Sequence, residues 1–339
     1  MDRKPTPDLS RRATMSDVAN AAGVSKITVS RALRGSDLVK AEVRQRITET
    51  AASMGYRVNL AARDLRLQQR RRISVIVDMA ARDDRPLYDP YPLALLGGIM
   101  QECAAAGFAV VLTTSDPRMS AETHDTSGVI VLGQGSDHHT VRALTQLNLP
   151  LAVWGADDGV EAEMGAVVIG SDNRLGGALA AGHLLDQGRQ HLVFLGDTSH
   201  AELADRRDGF VARLEGTSAA CVDTRSCDFN SESGRLAMAE VLASGARCDG
   251  VFGGSDLVAI GAMQAIREAG LEPGHDIGVV GYDDTPAAAA QTPGLTSVRQ
   301  DWIGGGRLLA ATLLARLDPD RVPVEEQRVL PVTLALRET

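Results

Sequence analysis

The 339-residue sequence predicts two unlike parts: a small all-α head and an α/β body of two doubly wound parallel-sheet subdomains. Three observations carry this expectation. Residues 14–34, TMSDVANAAGVSKITVSRALR, spell two short helices around a glycine turn. From Ile73 onward, short apolar runs alternate with helical patterns, the grammar of buried parallel strands and their crossovers. Charge divides at the same place. Residues 1–72 hold sixteen Lys and Arg against seven Asp and Glu, a net +9, while the remainder holds nineteen against thirty-seven, a net −18. A polyanion is attracted to the first part and repelled by the second, so nucleic-acid contact belongs to the head.

Within the head, Thr14 followed by Asp17 has the spacing of a capping box, which starts a first helix near Met15. Gly23 ends it, and Ser25 caps a second helix running to Leu33. Val18, Ala22, Val24, Val29 and Leu33 supply a shared core, and a third helix over 40–54 adds Val43, Ile47, Ala51 and Met54. On the second helix, Lys26 and Ser30, and Ile27 and Arg31, stand at i,i+4 spacing and share a broad face away from Val29 and Leu33. This is a helix-turn-helix whose polar, basic face suits the major groove of double-stranded DNA.

In the body, candidate strands are 73–77, 109–113, 128–132, 151–154, 166–169, 191–195, 250–252 and 277–280. Candidate helices are 92–106, 139–147, 173–187, 202–215, 231–243 and 256–269. Eight strands exceed one compact mononucleotide-type sheet, so two similar subdomains flanking a cleft are expected, with the ligand at the strands' carboxyl ends.

Other classes are set aside. No apolar run reaches transmembrane length, and the opening MDRKPTPDLSRRA lacks the apolar core of a secretory signal, so a disordered leader over 1–13 and a cytoplasmic protein are expected. Cys103, Cys221, Cys227 and Cys248 have no metal-ligand spacing and read as idle thiols of a reducing compartment. His138-His139 are adjacent, without partners at ligand spacing, so neither a metal nor a cofactor is expected. GQGSDH at 133–138 breaks GxGxxG, and no Walker or GxSxG sequence occurs, which points away from an enzyme. A small-molecule-binding protein or enzyme carrying a non-specific DNA tether is the alternative of another class.

DVANAAGVSKITVSRAL, GYRVNLAARDL, SDNRLGG, DGVFGGSDLVAIGAMQAIREAGL, GVVGYDDTP, LTSVRQD and LPVTLALRE, in that order over nearly the whole chain, resemble the lactose/galactose-repressor family of bacterial transcription regulators. The resemblance implies a homodimer on a palindromic operator and a body like periplasmic sugar-binding proteins. It divides the chain into a head over 14–58, a hinge helix and linker over 59–72, and a body over 73–339. In that body one subdomain takes about 73–170 and 300–325, and the other about 171–299 and 326–339.

Carried over residue by residue, Lys26, Ile27 and Arg31 match positions that read base edges, while Ser25, Thr28 and Ser30 match phosphate or capping positions. Arg31 suits a guanine. Ile27 either meets a thymine methyl or turns into the head's core. Asn59, Ala62, Leu65 and Arg66 fall in the hinge segment, where Leu65 is either a minor-groove wedge beside Arg66 or the start of a linker. Asp78, Asp172, Arg206, Phe229, Ser255 and Asp283 match the effector cleft, with chemistry suited to a sugar's hydroxyls and apolar face. Tyr88 and Tyr91 either reach in or pack beneath a loop, Asp256 either belongs to the cleft or caps the following helix, and Asp284 either belongs to it or pins a turn.

Two departures stand out. Ser255 replaces a frequent asparagine, and only Thr114–Ser127 is left for a crossover that usually holds a full helix, enough for a turn or two. Without a leucine-heptad tail, a dimer is expected rather than a tail-held tetramer. The resemblance leaves the sign of the response open: a sugar that releases DNA, or a purine or other corepressor that tightens it.

Overall fold

The computed structural model describes residues 13–33, 38–56, 71–78, 90–114, 125–318, 321 and 328–339. The expected leader, the hinge segment with Asn59, Ala62, Leu65 and Arg66, Tyr88 and most of the 114–127 crossover lie outside these residues. The chain divides into two compact units, Met1–Arg70 and Arg71–Thr339.

In the first unit, α1 (Met15–Ala22), α2 (Lys26–Leu33) and α3 (Ala41–Ser53) enclose Val18, Val29 and Ile47, all fully buried. The capping box forms in full: the Asp17 N–H donates to Thr14 Oγ1 at 3.3 Å, and the Thr14 N–H donates to Asp17 Oδ2 at 2.8 Å. Gly23 closes α1 at φ 65°, a left-handed conformation that a residue with a Cβ rarely adopts.

The second unit contains two sheets of matching order. The first runs β2 (Ala109–Thr114), β1 (Arg72–Val77), β3 (Gly128–Leu132), β4 (Leu151–Trp154), β5 (Val167–Ser171) and β11 (Val329–Leu330), all parallel. The second runs β7 (Ala220–Arg225), β6 (His191–Leu195), β8 (Gly250–Gly253), β9 (Gly278–Asp283), β10 (Thr296–Arg299) and β12 (Thr333–Ala335). Only β12 is antiparallel to its neighbour there. β3 and β4 are buried at every position, as strands covered by helices on both faces must be.

Helices α4 (Pro90–Ala105) and α5 (His139–Thr145) and the single turn α6 (Val160–Glu163) accompany the first sheet. Helices α7 (Asn173–Asp186), α8 (Ala201–Leu214), α9 (Ser231–Ala243), α10 (Asp256–Glu268) and the turn α11 (Pro286–Ala289) accompany the second. Helix α12 (Trp302–Leu317) returns to the first sheet, with Trp302, Leu309 and Leu313 in one core with Ile73 and Ile130.

Three helix pairs meet through glycines. A Cβ on Gly306 of α12 would lie 2.1 Å from the Leu95 carbonyl oxygen of α4. One on Gly177 of α7 would lie 1.9 Å from the Arg206 carbonyl oxygen of α8, and one on Gly261 of α10 would lie 1.9 Å from that of Ser231 in α9. No side chain fits at these crossings, so the backbones themselves are in contact.

The structure corrects several expectations. β7, β10 and α12 carry no clear sequence signal: β7 is a half-exposed edge strand, β10 is buried yet begins Thr296-Ser297, and α12 opens with Gly304-Gly305-Gly306. The final crossing between subdomains, expected near residue 326, comes after Leu330, because β11 pairs with β5 through Val329 and Gly170. The earlier crossings lie at Asp172 and at Gln300, next to α7 and α12.

Candidate functional sites: an exposed helix face and an inter-sheet cleft

On the head, burial of Val29 and Ala32 forces the opposite side of α2 outward. Lys26, Ile27 and Arg31 are all exposed, and Ile27 is 64% exposed, which removes the reading that turned it into the core. Ser25 and Thr28 spend their hydroxyls locally: the Thr28 N–H donates to Ser25 Oγ at 3.1 Å, and the two hydroxyls pair at 2.8 Å. Ser30, one turn on from Lys26, is half-buried. An unpaid-for exposed isoleucine between two cations is a surface suited to a partner that offers both anions and apolar groups.

Between the two sheets of the body lies a cavity of about 400 Å³, walled from the carboxyl ends of strands in both sheets. Asp78 follows β1, the 133–137 loop follows β3, Phe229 lies beyond β7, Asp283 ends β9, and Arg206 reaches up from α8. Thr140 Oγ1 donates to Asp78 Oδ1 at 2.9 Å, tying the first strand's carboxylate to the N-terminal turn of α5. Gly133 and Gly135, at φ 94° and 61°, let the loop fold back over this end of the sheet.

The Arg206 guanidinium is built in. Its Nε donates to Asn173 Oδ1 at 2.9 Å, its Nη1 donates to the Gly254 carbonyl at 2.6 Å, and its face lies 3.6 Å from the centre of the Tyr282 ring. Tyr282 Oη donates to the same Asn173 oxygen at 3.2 Å, and burial pushes its hydroxyl up to about 12. Asp283 stands at φ 121°, a conformation held against its intrinsic cost, and its Oδ1 accepts from Gln300 Nε2 at 2.7 Å. Phe229 meets the His200 ring edge-on at 5.4 Å, so an aromatic face is fixed on the wall.

Asp78, Arg206, Phe229 and Asp283 are thus brought together, and Tyr91 joins them on the wall. Asp172 and Ser255 are corrections, for neither lines the cavity. Asp172 Oδ1 accepts the Leu175 N–H at 2.9 Å and caps α7, while its neighbour Asn173 takes the place on the wall. Ser255 is 1% exposed and caps α10 by accepting the Val258 N–H. Asp256, fully buried, accepts from the Thr285 N–H, Thr285 Oγ1 and Ser297 Oγ, so it knits α10 to β10 and α11 instead of capping. Asp284 pairs with Arg299 and Arg337. Sequence reasoning missed Asp137, His139, Trp154, His200, Glu202 and Gln300. Trp154 and Gln300 stand at or just after strand ends, a signal the carboxyl-end rule supplies once the strands are known.

His138 is less isolated than its sequence neighbourhood implied. Its Nδ1 lies 2.5 Å from Glu161 Oε1 and its Nε2 lies 3.3 Å from Asp158 Oδ2, partners that arrive from α6 and the loop before it. The two ring nitrogens face diverging directions. One ligand-type atom from each of the three side chains nevertheless falls within 4.8 Å of the others, so the trio is a compact hydrogen-bonded cluster of one imidazole and two carboxyl groups.

Comparison with known proteins places these features. Residues 14–59 match the bacterial regulatory proteins of the lacI family, and residues 181–339 match the periplasmic binding protein-like domain. The chain belongs to the lactose/galactose-repressor family. It is a DNA-binding transcription regulator of that family. Its relatives include the ribose operon repressor of Haemophilus influenzae, 28% identical over 96% of this chain and 98% of that protein. The regulator CelR of Thermobifida fusca is 29% identical over 97% of this chain and 98% of its own length. Among solved structures, a lac repressor dimer bound to operator and an anti-inducer superposes with a TM-score of 0.82 at 27% identity, covering 97% of this chain and 99% of that one. A CelR–cellobiose complex superposes with a TM-score of 0.68 at 27% identity, covering 96% of this chain and 99% of that one. No helix among the described residues of this family member is long and apolar enough to cross a membrane.

Proposed function

We propose that this regulator is a cytoplasmic repressor that, as a homodimer, holds a palindromic operator and releases it when a sugar fills the inter-sheet cleft. The observation that carries the reading is the cleft wall, where a fixed guanidinium, two carboxylates from facing sheets and an aromatic ring surround one cavity. Arg206, Asp78 and Asp283 offer donors and acceptors for paired hydroxyls, and Phe229 covers an apolar sugar face. Related proteins named for ribose, and one solved with cellobiose, support a sugar as the ligand class.

In this reading Lys26, Ile27 and Arg31 meet the major groove, with Ser25, Thr28 and Ser30 holding the helix and its phosphate contacts. The 59–66 segment, with Asn59, Ala62, Leu65 and Arg66, forms the hinge contact in the minor groove, and Leu65 acts as a wedge. A dimer is supported by the dimeric lac repressor on operator. Closure of the body biases two arrangements of the dimer, and the sugar acts through its unequal affinity for them.

The test is thermal unfolding of the purified protein against a panel of mono- and disaccharides, polyols and nucleosides, followed by operator binding with each hit. A ligand at about 100 times its Kd stabilises by about 2.7 kcal/mol. The reading stands if a sugar hit lowers operator affinity and is abolished by Arg206→Ala. A nucleobase hit that raises operator affinity replaces release with corepression, and operator affinity unmoved by every hit ends the switch reading.

A further inference from the structure

The wall of the cleft carries more negative charge than a sugar needs. Among the described residues, four carboxylates line it, Asp78, Asp137, Glu202 and Asp283, against one guanidinium, that of Arg206. Even with His139 and His200 both protonated, the described wall keeps a net charge of −1, and with both neutral it reaches −3.

The usual anion-binding devices are already occupied by the protein's own acids. At the start of α7, where an incoming phosphate would find backbone N–H groups, the Asp172 carboxylate accepts from Leu175. Glu202 fills the first turn of α8 and itself lines the cavity. Arg206 has Nε and Nη1 committed to Asn173 and Gly254 and its face to Tyr282, which leaves it poorly placed to fork onto a phosphate.

We infer that the cleft selects against phosphorylated and acidic sugars, so that its ligand is an uncharged polyol or one that carries an amine. The inference rests on the proposed effector cleft and names the ligand class for that site. A phosphate dianion brought to this wall meets like charge in a partly desolvated space, where screening by salt is weak, whereas a hydroxyl or ammonium meets acceptors.

The experiment uses the full-length protein and paired probes: D-ribose with ribose 5-phosphate, D-glucose with glucose 6-phosphate and with glucosamine, and cellobiose, each titrated by thermal unfolding. The expected result is that at least one neutral sugar stabilises the protein while its phosphate binds at least 100-fold more weakly. Glucosamine binds no more weakly than glucose. In the Asp137→Asn, Glu202→Gln double variant, the gap between neutral sugar and phosphate narrows by tenfold or more.

A phosphate that binds as tightly as its parent sugar, or a gap that the double variant leaves unchanged, overturns the charge inference while the effector cleft stands. Glucosamine bound tenfold more weakly than glucose contradicts the sign of the field. A flat response to every probe removes the sugar reading and this inference together.

Discussion

Arg206 is held by Asn173: its Nε–H donates to Asn173 Oδ1 at 2.9 Å, across the contact between α8 and the N-terminal turn of α7. The same oxygen accepts from Tyr282 at 3.2 Å, so one amide fixes both the cleft's cation and the ring beneath it. Asn173→Ala leaves a guanidinium that is 6% exposed short of a partner, a cost of about 1–3 kcal/mol in stability. Ligand affinity is expected to fall about tenfold as the cation loses its fixed place, equivalent to about 1.4 kcal/mol. Chemical denaturation and ligand titration of the one variant check both effects.

Gly177→Ala tests the glycine crossing of α7 and α8. The added methyl would sit 1.9 Å from the Arg206 carbonyl oxygen, and a backbone atom has no rotamer to move away. The expected loss is about 1–3 kcal/mol or more, the range of an overpacked core, seen as a lower unfolding midpoint of the body. Gly188→Ala serves as the contrast. A Cβ there meets nothing within 4 Å, so its cost comes from the backbone at φ 78° alone.

Asp256 sets a pH dependence. Burial, reinforced by the charge of Asp283, pushes its carboxyl from 3.8 up to about 7 in the folded protein. A folded pKa above the unfolded one means the folded state binds the proton more tightly. The contribution of Asp256 to stability is therefore fully present below about pH 4 and is lost as pH rises through about 7. Asp256→Asn removes the titration. The variant should gain on the parent between pH 4 and 7 by up to about 1.4 kcal/mol per pH unit, and parallel stability profiles for the two proteins would contradict this.

Ile27 and Arg31 are exposed on α2, so their removal should leave the head folded. Ile27→Ala and Arg31→Ala are expected to change stability by less than about 0.5 kcal/mol. Arg31→Ala should weaken specific operator binding by about 1–3 kcal/mol while sparing binding to random DNA. Fluorescence anisotropy with both DNAs, alongside a thermal melt, separates the two effects, and specific binding unaffected by Arg31→Ala would remove the groove assignment.

The two-part architecture, the three-helix head and the eight most apolar strands were legible in the sequence because each rests on local periodicity, capping or charge. The capping box at Thr14 and Asp17 is read from two letters and forms as read. Local pattern fails where tertiary contact supplies the reason for a residue. The glycines at 304–306 look like a turn, yet they open a helix, because Gly306 lies against the α4 backbone and Gly305 against the Trp154 ring. Thr296 and Ser297 look like loop residues, yet they are buried in β10, because Asp256, Asp284 and Thr339 satisfy them.

The cleft divides in the same way. Residue type and motif identified Asp78, Arg206, Phe229 and Asp283 as groups able to bind hydroxyls, and their chemistry is a property of the side chains alone. Whether such a group faces the cavity is decided by packing. Asp172 and Asn173 are adjacent in the chain, but one caps α7 and the other anchors Arg206, since one step along a helix's first turn points the side chain elsewhere. The sequence by itself determined the three head helices, the eight most apolar strands and which side chains can do the chemistry. Only the tertiary structure decided which of them meet, because that depends on contacts between residues far apart in the chain, such as Asp256 with Ser297 and Arg206 with Gly254.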